Sequence, residues 1–106
     1  MAERRIRWPG ESGLKYLYWI NDFSTNFDGI PANYVFARET QPRKFRPIYI
    51  GHTDNLKERL SNHEKMSCIH ENKATHVCIH PSSSNEAIRQ EEERDLVNRW
   101  KPVCNV

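Results

Sequence analysis

The sequence has no apolar run near the roughly 18 residues a membrane-spanning helix needs. It also has no internal repeat, no strong net charge and no even set of cysteines. Each shortage closes a class. No membrane partner is expected, and the charged start Met1-Ala2-Glu3-Arg4-Arg5-Ile6-Arg7 has no apolar stretch behind it, so it does not read as a secretory leader. The cytoplasm is the expected compartment. Three cysteines (Cys68, Cys78, Cys104) at irregular spacing argue against a disulfide framework and for reduced thiols. A net charge of +2 is too small to mark a nucleic-acid binder by itself.

What is present is ordinary for a soluble globular protein: 106 residues, 37% apolar and 28% charged. A chain of this size can bury a modest core without staples. Residues 1–12, polar with Pro9 and Gly10, read as a flexible basic arm, and residues 13–106 as a single domain. Basic residues cluster: Arg4, Arg5 and Arg7 open the chain, and Arg38, Arg43, Lys44 and Arg46 crowd one stretch. Such clusters form either a phosphate-facing patch or solvated loop charges.

Leu14 to Ile20 reads as a strand, with a short helix as the alternative, and Asn21 to Pro31 as turn-rich. Tyr34 to Ala37 and Ile48 to Ile50 are short β-like runs joined by the polar Glu39 to Arg46, which predicts an antiparallel hairpin. Thr53 or Asp54 can cap a helix running to about Lys65, with a shorter helix through Met66–Glu71 after it. His76 to His80 alternates like a further strand. Ser84 can cap a helix from Glu86 to Trp100, stopped by Pro102. The expected fold is α+β: a small three-stranded, mostly antiparallel sheet flanked by helices, with an extra N-terminal strand.

Two polar residues fall on expected apolar faces. Leu56 and Leu60 define a stripe that places Arg59 and His63 inside or beside it. In the last helix, Ile88, Leu96, Val97 and Trp100 mark an inner face that takes in Glu93, with Glu92 at its edge and Glu91 facing away. Arg59 so placed either snorkels to water or takes an anionic partner, and Glu93 calls for a cation, either a metal or a basic side chain such as Arg89 one turn earlier.

These residues sit in a pattern that resembles the GIY-YIG nuclease family. Tyr49-Ile50-Gly51 ends a strand, and Arg59 follows Tyr49 by ten residues on the next helix. Glu93 on the last helix is followed twelve residues later by Asn105, in Lys101-Pro102-Val103-Cys104-Asn105. The family's first tyrosine falls on Tyr34. The resemblance covers residues 31–106. Ala32-Asn33-Tyr34 stands where Gly-Ile-Tyr is usual, Cys104 where an aromatic is common, and no appended DNA-binding domain is visible.

The resemblance implies a metal-dependent endonuclease that hydrolyses nucleic-acid phosphodiester bonds, DNA ahead of RNA. One Mg2+ (or Mn2+) ion would be held by Glu93 on the scissile phosphate, and Arg59 would neutralise that phosphate. Tyr49, helped by Tyr34 and His63, would position or deprotonate the attacking water. Asn105 would fix local geometry or contact the phosphate. Arg38, Arg43, Lys44 and Arg46 would flank the site as a nucleic-acid-binding patch. The alternative is a catalytically inactive nucleic-acid-binding or regulatory module of the same fold. The array Cys68, His70, His76, Cys78, His80 carries zinc-type ligands without the paired spacing of structural zinc sites, and is read as a half-buried strand with surface histidines.

Overall fold

A computed structural model describes residues 4–82 and 84–105. The chain opens with two strands, β1 (Arg4–Pro9) and β2 (Lys15–Asp22), and continues with β3 (Ala32–Gln41) and β4 (Lys44–Thr53). Two short helices follow, α1 (Leu56–Ser61) and α2 (Met66–Glu71), then β5 (His76–Pro81), α3 (Glu86–Trp100) and a single 3-10 turn, Val103–Asn105. All strands pair antiparallel in the order β1-β2-β5-β3-β4.

The α+β class is as expected, but the sheet has five strands rather than three. The stretch expected as a loose arm supplies one of them. Arg4 to Pro9 pairs with Lys15 to Ile20, and Ile6 and Trp8 alternate with the arginines, which puts one face of the strand on the core and the cations on the other. Asp95 of α3 holds the turn that follows, accepting from the Ser12 amide and hydroxyl and from Tyr16 Oη, and Trp100 Nε1 donates to the Pro9 carbonyl. Met1 to Glu3 lie outside the described residues.

The β3–β4 hairpin turns tightly through Pro42 and Arg43, with Arg43 in the left-handed region at φ 68°. Strand alternation splits the core into two layers. Tyr34, Phe36, Val77 and Ile79 pack with Leu56 of α1 and Ile69 of α2; Val35, Ala37, Cys78 and Tyr18 pack with Leu96 of α3. The helices α1 and α3 therefore cover opposite faces of the sheet.

Two helix boundaries differ from expectation. Asn55 rather than Thr53 or Asp54 caps α1, its side chain accepting from the Glu58 amide, and Asn85 rather than Ser84 caps α3. Helix α1 stops at Ser61 instead of reaching Lys65.

The cysteines correct another expectation. Cys68 and Cys104 form a disulfide across a sequence separation of 36, with Cα atoms 5.9 Å apart. Asn72 braces it, its Nδ2 donating to the Cys68 carbonyl and lying within 3.6 Å of both sulfurs. Spacing could not reveal this, because the sheet brings α2 and the C-terminal turn together only after folding. Cys78 stays free and buried, and burial pushes its thiol up to about 12. Denatured, unreduced protein should therefore show one titratable thiol, rising to three after reduction. Reduction should lower the unfolding free energy by about 2–4 kcal/mol, read from urea midpoints with and without reductant. Three thiols before reduction would show that the bond does not form in the protein's own compartment.

Candidate active site

Strand β4 forms one edge of the sheet, with Gly51 opposite Tyr34 and Tyr49 opposite Phe36 on β3. A Cβ added to Gly51 would lie 2.7 Å from the Tyr34 Oη and 2.8 Å from Cε2 of Tyr49. There is no room for it. The missing side chain lets the two rings close over the strand, with centroids 6.1 Å apart.

The end of α1 brings in the next member. Asn62 leaves helical geometry at φ −146°, and the chain drops His63 inward to 7% exposure. Its ring stands edge-on to Tyr49 at 4.8 Å and to Tyr34 at 5.7 Å. The Lys65 amide donates to His63 Nδ1 at 3.0 Å, so the proton of the neutral ring sits on Nε2, 2.8 Å from Tyr34 Oη. Burial, aided by the Arg59 charge, pushes the His63 pKa down to about 4. The ring is neutral at pH 7.

Arg59 completes the contact set. Its Nε donates to Tyr34 Oη at 3.2 Å and a terminal nitrogen to Glu64 at 3.3 Å. The side chain is 29% exposed, so part of its fork faces solvent. Tyr34 Oη thus accepts two hydrogen bonds, from His63 and Arg59, and its own proton is left to donate. Burial raises the pKa of Tyr34 well above the usual phenol range, against the pull of Arg59. Burial also raises Tyr49, and the Glu93 charge raises it further, while Arg59 opposes both.

Glu93 reaches this cluster as a field rather than by contact. Its helix lies on the other face of the sheet from α1, and Oε2 is 3.2 Å from His52 Nδ1. Its other oxygen makes no hydrogen bond among the described residues, and the side chain is 28% exposed. The carboxylate nevertheless adds to the pKa of both Tyr34 and Tyr49 through its charge. Asn105 is committed to backbone: Oδ1 accepts from the Ile50 amide at 2.8 Å, and Nδ2 donates to the Ile50 carbonyl at 2.7 Å. Of its two expected roles, the structure supports the fixing of local geometry.

Tyr34, Tyr49, Arg59 and His63 are therefore joined by contact, Glu93 by charge, and Asn105 through the strand. The inner face of α3 is rotated from the expected one. Arg89, Glu92 and Leu96 are buried, and Ile88 is 51% exposed. Glu92, expected at the edge, is the enclosed glutamate, accepting from Tyr18 Oη at 2.6 Å and bonded to His80 Nδ1 at 2.9 Å. Glu93 lies beside the inner face. Sequence reasoning also passed over His52 and Glu64. The strand period offered a signal for His52, since the residue after Gly51 must point toward α3.

The basic patch divides. Arg38 and Arg46 line a groove with Lys73 and Lys101, whereas Arg43 sits at the hairpin turn near Arg4, Arg5 and Phe45, and Lys44 is exposed at the start of β4. The zinc-type array is not assembled, because Cys68 is bonded to Cys104. Among the described residues no three His, Cys, Asp or Glu side chains gather as a ligand set. A single carboxylate with one oxygen free suits an ion that keeps most of its waters and takes further oxygens from a phosphate, as Mg2+ does. No helix among the described residues is long and apolar enough to cross a membrane. No protein-family model, curated protein or solved structure matches the chain.

Two outcomes follow from this packing. Gly51→Ala should destabilise the fold by about 1–3 kcal/mol, because the methyl must displace the buried Tyr34 ring and the half-buried Tyr49 ring; an unchanged denaturant midpoint would show that the rings yield freely. His63 has a depressed pKa, so the unfolded chain binds its proton first as pH falls. Its contribution to stability is complete above about pH 6.5 and is lost progressively toward pH 4, on the order of 2–3 kcal/mol in all. Urea unfolding of wild type and His63→Gln across this range should show the wild type alone carrying that pH dependence.

Proposed function

We propose that this chain is a metal-dependent endonuclease of the GIY-YIG type, hydrolysing phosphodiester bonds in nucleic acid, with DNA preferred to RNA. The observation that carries the reading is the meeting of Tyr34, Tyr49, His63 and Arg59 over a glycine with no room for a side chain. Core packing alone explains two tyrosines against a strand, but not a buried neutral histidine and an arginine both aimed at one phenol oxygen.

The roles follow from the hydrogen-bond directions. Because Tyr34 already accepts twice, it acts as a donor, holding a water or a phosphate oxygen in one orientation. Arg59 presents its remaining N–H groups to the phosphate as charge builds there. Tyr49, half-buried and nearer the open edge, is assigned to the attacking water. Its proton is held on by burial and by the charge of Glu93, so neutralising that charge lowers the pKa of Tyr49 and raises the fraction present as phenolate, the form that can take the water's proton. Glu93 would hold Mg2+ or Mn2+ through its free oxygen, with His52 fixing the other. The ion supplies positive charge at the non-bridging and leaving oxygens when bound. Asn105 acts at one remove, by holding Ile50.

Glu93→Gln tests this. The variant should fold, since Glu93 is partly exposed and its His52 contact contributes at most about 1 kcal/mol. It should still bind DNA and lose nearly all nicking of supercoiled plasmid in Mg2+ or Mn2+. Cleavage falling only in proportion to unfolded protein, measured by thermal melts on the same preparation, would reduce Glu93 to a structural residue. If the wild type nicks neither plasmid, single-stranded DNA nor RNA at high concentration, the chain is instead a binding module of this fold.

A further inference from the structure

The ends of α2 and α3 leave a groove of about 740 Å³ over β3 and β4, away from the tyrosine cluster. Arg38, Arg46, Lys73 and Lys101 line it, with Trp100 on one wall and Glu71 as its one carboxylate. None of the four cations makes a side-chain hydrogen bond or ion pair among the described residues. Three features of the placement run against stability. Arg38 and Arg46 face each other directly across the hairpin, where like charges repel. Lys73 and Lys101 hold left-handed backbone, at φ 60° and 45°, in positions just past helix ends that glycine usually fills. The two helix C-termini favour a lysine charge nearby, but they explain neither the backbone nor the facing arginines.

Uncompensated repulsion gathered round one concave surface fits a ligand that brings the missing negative charges. We propose that this groove grips the sugar–phosphate backbone of the nucleic acid, with the four cations on successive phosphates. This rests on the nuclease reading and gives it a substrate path. Arg46 and Gly51 lie five residues apart on β4, about 17 Å at strand rise, or roughly five nucleotide steps along a duplex. The groove then holds the strand to one side of the reacting phosphate, and the disulfide between Cys68 and Cys104 ties together the two walls that carry Lys73 and Lys101.

The test is the salt dependence of binding to a short fluorescein-labelled DNA duplex, by anisotropy in chelator, for wild type, Arg38→Gln, Arg46→Gln, Lys73→Gly and Lys101→Gly. Each variant should bind roughly tenfold more weakly at about 0.1 M salt, with the slope of log K against log salt flattened by about 0.9. None should melt lower than wild type, because each substitution relieves repulsion or backbone strain; this separates lost grip from lost fold. Lys15→Gln, which removes an exposed cation at the start of β2 outside this groove, should keep the wild-type slope. Four folded variants with the wild-type slope would overturn the groove while leaving the nuclease reading intact if plasmid is still nicked. Binding that depends on these four residues without nicking of any substrate would sustain the groove and sink the nuclease reading. Wild type that shows no salt-dependent binding overturns the groove outright.

Discussion

The bare α-carbon of Gly51 is the constraint on which the site depends. With a side chain there, Tyr34 and Tyr49 could not both lie over β4, and neither His63 nor Arg59 would find the Tyr34 oxygen. Gly51 in turn must stay on an edge strand that would otherwise fray or pair with another chain. Asn105 prevents this by taking both backbone groups of Ile50 with one amide. Asn105 is held by its neighbour: Cys104 is bonded to Cys68 of α2 and buried in the core layer that includes Tyr34. A line of covalent and hydrogen bonds thus runs from α2 through the C-terminal turn to the strand beneath the tyrosines. Loosening any link frees the next.

The second constraint is the division of labour between two adjacent glutamates. Successive helix positions point 100° apart, so Glu92 and Glu93 cannot face the same environment. Glu92 is enclosed, its Oε2 accepting from the Tyr18 hydroxyl and bonded to the His80 ring, as a buried carboxylate requires. Glu93 is the more exposed of the two, its side chain 28% in solvent against 8% for Glu92. Glu92 thus serves the fold, and on the proposed reading Glu93 is the one that would meet a cation.

The sequence made some of this legible and hid the rest, for definite reasons. Helix Glu86–Trp100 was readable to the residue because a polar cap precedes it and Pro102 follows it. The hairpin was readable because β-branched and aromatic runs flank a polar turn. The grouping of Tyr34, Tyr49 and Arg59 is implied by the family resemblance alone, and nothing in the sequence marks the break at Asn62, without which His63 would stay on a helix instead of dropping under the rings. Residues 4–9 looked like an arm because their arginines dominate the composition, although Ile6 and Trp8 alternate with them at the strand period. The rotation of α3 is hidden because Ile88 has the side chain of a core residue yet lies half in solvent, while Arg89 is buried. The disulfide had no local signal, since its partners meet only through the completed sheet.

On the proposed nuclease reading, the placement of the two charged groups sets how a substrate approaches. Arg59 comes from a helix on one face of the sheet and Glu93 from a helix on the other. They act on common phenols only around the outer edge of β4, where Gly51 offers no side chain to separate them. A phosphate that touches both must therefore lie along that edge, not on either face. The same strand carries Arg46 at its other end, opposite Arg38 and within reach of Lys73 and Lys101. On the proposed reading, an extended polyanion laid along β4 would meet those four cations and the tyrosine cluster on one track, which puts grip and reactive centre on a single strand.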